Sequence, residues 1–406
     1  FMFMTALSNL FGVGGASLIS RFLGAGEREK ASRCSAFCIW TAAAVSVLYG
    51  LMVLAGRPVL LPVLGANEET CDMASSYLFW TIGLGALPTV MNPALAHLIR
   101  SEGYSRQASL GVAFGGILNM VLDPLFIYGL HLQITGAAVA TLISNTTAMF
   151  YFLAFIWKIR GVSVLTLSPG MYTLGEHIPA EVISVGLPSF LISMMGTVSN
   201  TVLNHIIAGY SSVAVAGMGI AKKLNMLAFA VGQGITQGTL PLIGYNYTSG
   251  NKKRMLDAIR ALFVFSLGVA LAIAVLLYIQ APAVSRLFIN NSETVAYGCR
   301  FLRIICSASP MTAMTFFALT VFQATGKKRQ PIILSMLRKG TVDVPFMILF
   351  NHLIGIRGVA WATPVAEVTS LMVAAAMVIP YIRKLARIPE TTGPVSETKT
   401  CKSVDK

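Results

Sequence analysis

Two aspartates and a glutamate lie deep inside apolar stretches of this 406-residue chain, away from their ends. An ionisable group held at membrane depth is costly without a partner, and is by default a functional hypothesis. Asp123 sits in NMVLDPLFIYG (119–129), with Pro124 directly after it. Asn119 is four residues earlier, one turn back on the same helical face. A proline inside a spanning helix withdraws one backbone hydrogen bond and bends the helix, often where it lines a cavity. Asp123 could therefore exchange a proton or hold a cation; the alternative is a hydrated carboxylate capping the outer end of its helix. Asp343, in GTVDVPFM, is its counterpart at an offset of 220, again with a proline close behind at Pro345. Its alternative is a polar group satisfied by packing. Glu367, well inside the last apolar stretch, reads as a carboxylate hydrogen-bonded between helices.

The remaining polar residues at depth divide between pore-lining and helix-knitting roles. Asn200, Asn204 and Asn225, with Gln233 and Gln237, fit either. Asp343, Glu367, Asn200, Asn204 and Gln237 are the candidates for a substrate cavity. Lys222 and Lys223 are far from the cytoplasmic end of their helix, and either snorkel outward or pair with a carboxylate. His97 is expected at the interface. The repeated GxG at Gly12–Gly14 and Gly232–Gly234 lies inside apolar helices with no preceding strand, so it fits close helix packing rather than a nucleotide loop. The sequence has no GxxxxGK[ST], HExxH or GxSxG, and its cysteines lack zinc-ligand spacing. These absences leave an enzyme without visible machinery, and leave an ion gradient rather than ATP as the driving force. No metal or cofactor is expected beyond a coupling ion, H+ or Na+.

The elements that must position these groups are membrane helices. Hydrophobic residues make up 55% of the chain and charged residues 11%, against roughly 25% charged in a soluble protein. Eleven apolar stretches are long enough for a bilayer core of ~30 Å: 1–23, 34–60, 73–99, 107–130, 136–158, 179–208, 213–248, 255–282, 294–324, 330–354 and 357–382. The fold expected is an all-α, multi-pass integral membrane protein. The net charge of +14 collects on alternate connections, around Arg21–Arg33, Arg100–Arg106, Lys158–Arg160, Lys252–Arg260, Lys327–Arg329 and Arg383–Arg387. That pattern is the positive-inside bias of a cytoplasmic face rather than a nucleic-acid surface. Arg286, Arg300 and Arg303 run against it.

The chain is also written twice. GVGGASLISRFLGAG (12–26) parallels GQGITQGTLPLIGYN (232–246), and LGANEETCDMASSYL (64–78) parallels FINNSETVAYGCRFL (288–302). RSEGYSRQ (100–107) then parallels QATGKKRQ (323–330), and GAAVAT (136–141) parallels GVAWAT (358–363). Four matches in order, at offsets between 220 and 224, indicate duplication, the parallel-repeat pattern of a two-lobed transporter. The division expected is a first lobe over 1–158, a cytoplasmic linker over 159–178, a second lobe over 179–384 and a disordered tail over 385–406. Five spans precede the linker and six follow it, and the chain opens on an apolar Phe rather than Met. The expectation is that one helix is missing from the N-terminus.

LFGVGGASLISRFLGAGEREKA (10–31), LNMVLDPLFIYGLHLQITGAAVATLISN (118–145), PLIGYNYTSGNKKRM (241–255) and QATGKKRQP (323–331) together resemble the multidrug and toxic compound extrusion (MATE) transporters, in particular their MepA-like branch. The resemblance covers essentially the whole chain. It implies two pseudo-symmetric six-helix bundles around a central cavity, with about eleven of the twelve helices present. It also implies export of cationic amphipathic drugs in exchange for H+ or Na+. In similar transporters a cation site uses an aspartate, an asparagine one turn before it and a threonine on the next helix. These fall on Asp123, Asn119 and Thr141. A further aspartate of that site belongs to the first helix, which has no counterpart here. Another branch uses acids in the seventh and tenth helices of the family fold; here Glu181 and Glu293 stand only at the starts of those helices. Coupling is therefore expected in the first lobe.

The mechanism expected is antiport by alternating access, in which neutralising Asp123 biases one conformation over another. A broad apolar cavity, to which some of the 19 methionines contribute, would adapt to many substrate shapes. The alternative is a lipid-linked saccharide flippase of related fold, which a wide basic cavity would favour. The partners expected are small amphipathic substrates and membrane lipids. The protein is expected to be a monomer in the inner (plasma) membrane.

Overall fold

The computed structural model describes residues 2–63, 68–289 and 291–387, and every regular element among them is helical. Two compact units form, Phe1–Phe190 and Leu191–Lys406.

The first unit contains α1 (Met2–Gly24), α2 (Arg28–Ala55), the short α3 (Arg57–Val63), α4 (Glu68–Leu78), α5 (Ala86–Ser101), α6 (Ser105–Pro124) and α7 (Gln133–Ile159). The beginning of α8 (Ile178–Ala208) also belongs to it. At its centre α1 packs on α2 and α5. Between membrane helices there is no water to expel, so association depends on close van der Waals contact through small residues. The glycines of α1 provide that contact. A Cβ on Gly12 would lie 2.8 Å from the His97 ring, one on Gly14 2.2 Å from the Val182 carbonyl oxygen, and one on Gly15 2.6 Å from the Cys38 sulfur. His97, expected at the interface, is instead buried in this contact. The close-packing reading holds for Gly12 and Gly14 but not for their repeat partners. Gly232 and Gly234 face open space, and Gly232 lines a cavity.

The stretch between α7 and α8 folds back onto this unit. Val164 and Leu165 are buried in its core, the Glu102 carboxylate accepts from the Val164 amide at 2.5 Å and from the Ser163 hydroxyl, and Arg33 pairs with Glu176.

The second unit contains the rest of α8, then α9 (Ser212–Thr248), α10 (Lys252–Ile279), the short α11 (Ala281–Arg286), α12 (Ser292–Cys306), α13 (Ser309–Ala324), α14 (Arg329–Met336), α15 (Asp343–Ile354) and α16 (Ile356–Arg387). Its centre is α9, packed against α10, α12 and α13. Because Leu385 is fully buried, α16 runs on through Arg387. The remainder of the expected tail, 388–406, lies outside the described residues.

All eleven expected spans are helical, but several are not continuous rods; 294–324, for example, divides into α12 and α13. Among the described residues nine helices are long and apolar enough to cross a membrane. The pair Thr70–Leu84 and Ala86–Ser101, bent by 45°, makes a tenth when counted as one broken span. It bends at a π-helical turn, Phe79–Leu84, followed by Gly85. The eleventh, expected over 330–354, divides into α14 and α15 around a π-helical turn, Leu337–Thr341, which carries Arg338 and Lys339. The wider turn frees backbone groups and re-aims side chains, as such bulges often do at functional positions.

Candidate functional site

In the first unit the site depends on how α6 meets α7. The buried positions of α6 are Ala108, Gly111 and Gly115, three and four residues apart and so on one face. Leu110, Phe114, Ile117, Met120 and Val121 are exposed, as a lipid-facing surface requires. A Cβ on Gly111 would fall 2.3 Å from the Phe152 ring, which brings α6 and α7 together. Beyond Pro124, which has no N–H to offer the Met120 carbonyl, the chain widens into a π-helical turn, Leu125–Gly129. The Leu132 amide then bonds the Phe126 carbonyl at 3.0 Å, and Gly136 approaches so closely that a Cβ there would be 2.9 Å from the Phe126 backbone. This tight return fixes the register of α7 against α6. Thr141, five residues after that glycine, comes opposite Asn119.

The three residues meet. Asn119 Nδ2 donates to Asp123 Oδ1 at 3.1 Å and lies 3.5 Å from Thr141 Oγ1, while Thr141 Oγ1 donates to the Ala137 carbonyl at 2.9 Å. All three are half-buried, so Asp123 is neither sealed in the core nor fully exposed on the surface. With the Asn119 amide turned toward the carboxylate, its Oδ1 and the second Asp123 oxygen remain as oxygen donors. The polar path continues one turn along α7. Asn92 Nδ2 donates to Asn145 Oδ1 at 2.9 Å, and Asn145 Nδ2 lies 3.4 Å from Thr89 Oγ1.

The second unit builds a similar hairpin from α15 and α16. Gly355 turns the chain at φ +66°, a left-handed conformation that favours glycine, and a Cβ on Gly358 would stand 2.1 Å from the Phe350 carbonyl oxygen. Thr363, again five residues after the close-approach glycine, lies 3.4 Å from Asp343 Oδ1. Asp343 is 1% exposed; its Oδ2 accepts from Ser199 Oγ at 2.5 Å and from Lys339 Nζ at 3.4 Å. Glu367, also 1% exposed, accepts Arg338 Nε at 2.8 and 3.0 Å on its two oxygens, and Lys339 Nζ stands 3.9 Å away. The Arg338 guanidinium is itself 2% exposed and lies 4.4 Å from the centre of the Phe316 ring.

Glu367 is thus bonded between helices, as read from the sequence, and its partner is Arg338. That residue and Lys339 were missed in the sequence. The available signal was two cations within an apolar stretch, one of them four residues before Asp343. Lys222 Nζ bonds Asn200 Oδ1 at 2.7 Å rather than a carboxylate, Gln237 Nε2 lies 3.5 Å from Gln233 Oε1, and Asn204 is exposed. A cavity of about 80 Å3 in this unit is lined by Phe229, Phe316, Arg338, Lys339 and Glu367 with Asn225 and Ser309. At roughly 10–15 Å3 for each water-sized group, it holds a few waters and not a drug. Asp343, Asn200, Asn204 and Gln237 are not among its walls.

Among the described residues no three His, Cys, Asp or Glu side chains cluster as a metal site would require. The MatE family model matches residues 1–125 and 188–349. The chain is 30% identical over 382 residues to the multidrug export protein MepA of Staphylococcus saprophyticus, a match covering 94% of this chain and 83% of that protein. To MepA of Staphylococcus aureus strain MRSA252 it is 31% identical over 383 residues, with the same coverage. A solved structure, MATE in complex with MaL6, superposes with a TM-score of 0.87 at 26% identity, over 96% of this chain and 87% of that one.

Proposed function

The chain belongs to the MATE family of membrane transporters, and from that premise we propose that it exports cationic amphipathic compounds across the plasma membrane in exchange for protons or sodium ions. The observation that carries this reading is the meeting of Asp123, Asn119 and Thr141. One carboxylate beside neutral oxygens matches a single positive charge, either a proton on the carboxylate or a monovalent cation held by the oxygens. Three carboxylates would instead suit a divalent ion.

Loading neutralises Asp123, and a neutral group is far cheaper to enclose away from water than a carboxylate. The loaded and empty protein then favour different conformations, and the ion drives the exchange by that difference in affinity. Asn119 orients the carboxylate, while Thr141, fixed on α7, links its state to the packing of α6 on α7. Substrates would be bound by adaptable apolar and methionine side chains, and the naming of the MepA relatives as multidrug export proteins supports export of more than one compound. The cycle needs no cofactor beyond the coupling ion and no second copy of the chain.

The test is efflux of a fluorescent monovalent cation from vesicles carrying the protein, under an imposed proton or sodium gradient. One of the two gradients should accelerate export, and collapsing it should stop the acceleration. Export indifferent to both would remove ion coupling.

A further inference from the structure

The two hairpins present the same three positions with one difference in chemistry. In each, an aspartate meets the residue four places before it, and a threonine from the following helix completes the set, bonded to Asn119 in the first unit and to the aspartate itself in the second. These are Asp123, Asn119 and Thr141 in the first unit, and Asp343, Lys339 and Thr363 in the second. The counterparts are separated by 220 residues at the aspartate and at the residue one turn before it, and by 222 at the threonine. The π-helical turns fall differently, after the aspartate in the first unit and before it in the second. Where the first unit has a neutral amide, the second has an ammonium group.

We propose that Asp343, Lys339 and Thr363 form a second monovalent-cation site whose cation is the chain's own Lys339 ammonium, so that this half is permanently loaded. The inference rests on the reading of Asp123 as the ion-coupling carboxylate. Asp343 has the oxygen environment of such a site: its two oxygens meet the Ser199 and Thr363 hydroxyls and are shielded from water. Its charge is balanced by Lys339 at 3.4 Å, while the neighbouring charge on Glu367 is balanced by Arg338. A further charged group facing this cluster is Lys222 of α9, bonded to Asn200 of α8. Each buried carboxylate therefore has a tethered cation, and no mobile ion is required. Replacing Lys339 by the asparagine found at the matching position would leave a buried carboxylate among hydroxyls and an amide, an arrangement that must recruit a proton or a cation or lose stability.

The experiment counts ions on the purified protein, by equilibrium binding of radioactive sodium and by proton uptake on acidification. Asp123→Asn serves as the background that blanks the first site. Adding Lys339→Asn should restore uptake of one sodium ion or one proton per chain. Adding Asp343→Asn as well should abolish that gain, and Lys339→Arg, which keeps the tethered charge, should produce none. If Lys339→Asn unfolds in sodium-free neutral buffer, sodium or acid should restore the fold. A folded Lys339→Asn that takes up neither ion would overturn the proposal, as would a gain that survives Asp343→Asn or an unfolded variant that neither condition restores. Failure of the first-site reading shows separately, as an Asp123→Asn protein that binds as many ions as the parent.

Discussion

The hairpins of the two units differ most in what surrounds their aspartates. Asp123 is half-buried against the Asn119 amide, and among the described residues no cation is hydrogen-bonded to it. Asp343 is sealed at 1% exposure with a lysine one turn away, and a buried arginine–glutamate pair lies next to it. A carboxylate that must gain and lose an ion needs access and no permanent partner; one that holds helices together needs the reverse. The repeated scaffold, with a close-approach glycine five residues before a threonine, supports both arrangements. The difference between them comes from Lys339 and Arg338.

If the second unit's charges are structural, removing half of a pair should be the most damaging change. Arg338→Met leaves Glu367 buried without its partner, and should cost about 3–5 kcal/mol in stability. Thermal unfolding in detergent measures this, and the double variant Arg338→Met with Glu367→Gln should recover most of the loss. A single variant as stable as the parent would mean that water already reaches Glu367 and that the contrast between the units is overstated.

The glycine contacts should rank next. A Cβ at Gly358 meets a carbonyl oxygen at 2.1 Å, whereas at Gly136 the nearest backbone is 2.9 Å away. Gly358→Ala should therefore destabilise more than Gly136→Ala, within the roughly 1–3 kcal/mol typical of overpacking. Equal effects would indicate that the α15–α16 turn relaxes freely. Asn119→Ala should be the mildest change. It removes an orienting hydrogen bond worth about 1 kcal/mol, so coupling-ion affinity should fall roughly fivefold with export retained. An abolished gradient response in this variant would promote Asn119 from an orienting group to an indispensable ligand.

Much of this arrangement was legible in the sequence because charges inside apolar runs are rare and repeats are visible by alignment. Asp123 stood out through Pro124, Asn119 through helical spacing, and Asp343 through the duplication. Thr141 came only from the resemblance, since a threonine in an apolar helix carries no signal of its own. Arg338 and Lys339 were hidden because averaging hydropathy over residues 330–354 absorbs two cations into an apolar mean. The break there, and the bend at Gly85, depend on π-helical hydrogen bonding that composition does not encode. The GxG repeat misled in one half because sequence similarity does not determine which face of a helix meets a neighbour; a Cβ on Gly14 would run into α8, whereas one on Gly234 would meet open space.

The most direct test of coupling in the first unit compares two variants in gradient-driven export of a fluorescent cation. Asp123→Asn is nearly isosteric and should fold and insert, yet lose the response to the gradient, because an amide neither exchanges a proton nor carries the charge to hold a cation. The paired variant Lys339→Asn with Asp343→Asn removes one ion pair of the second unit as a whole and should keep that response. Export that survives in Asp123→Asn and disappears in the paired variant would place the coupling site in the other half of the molecule.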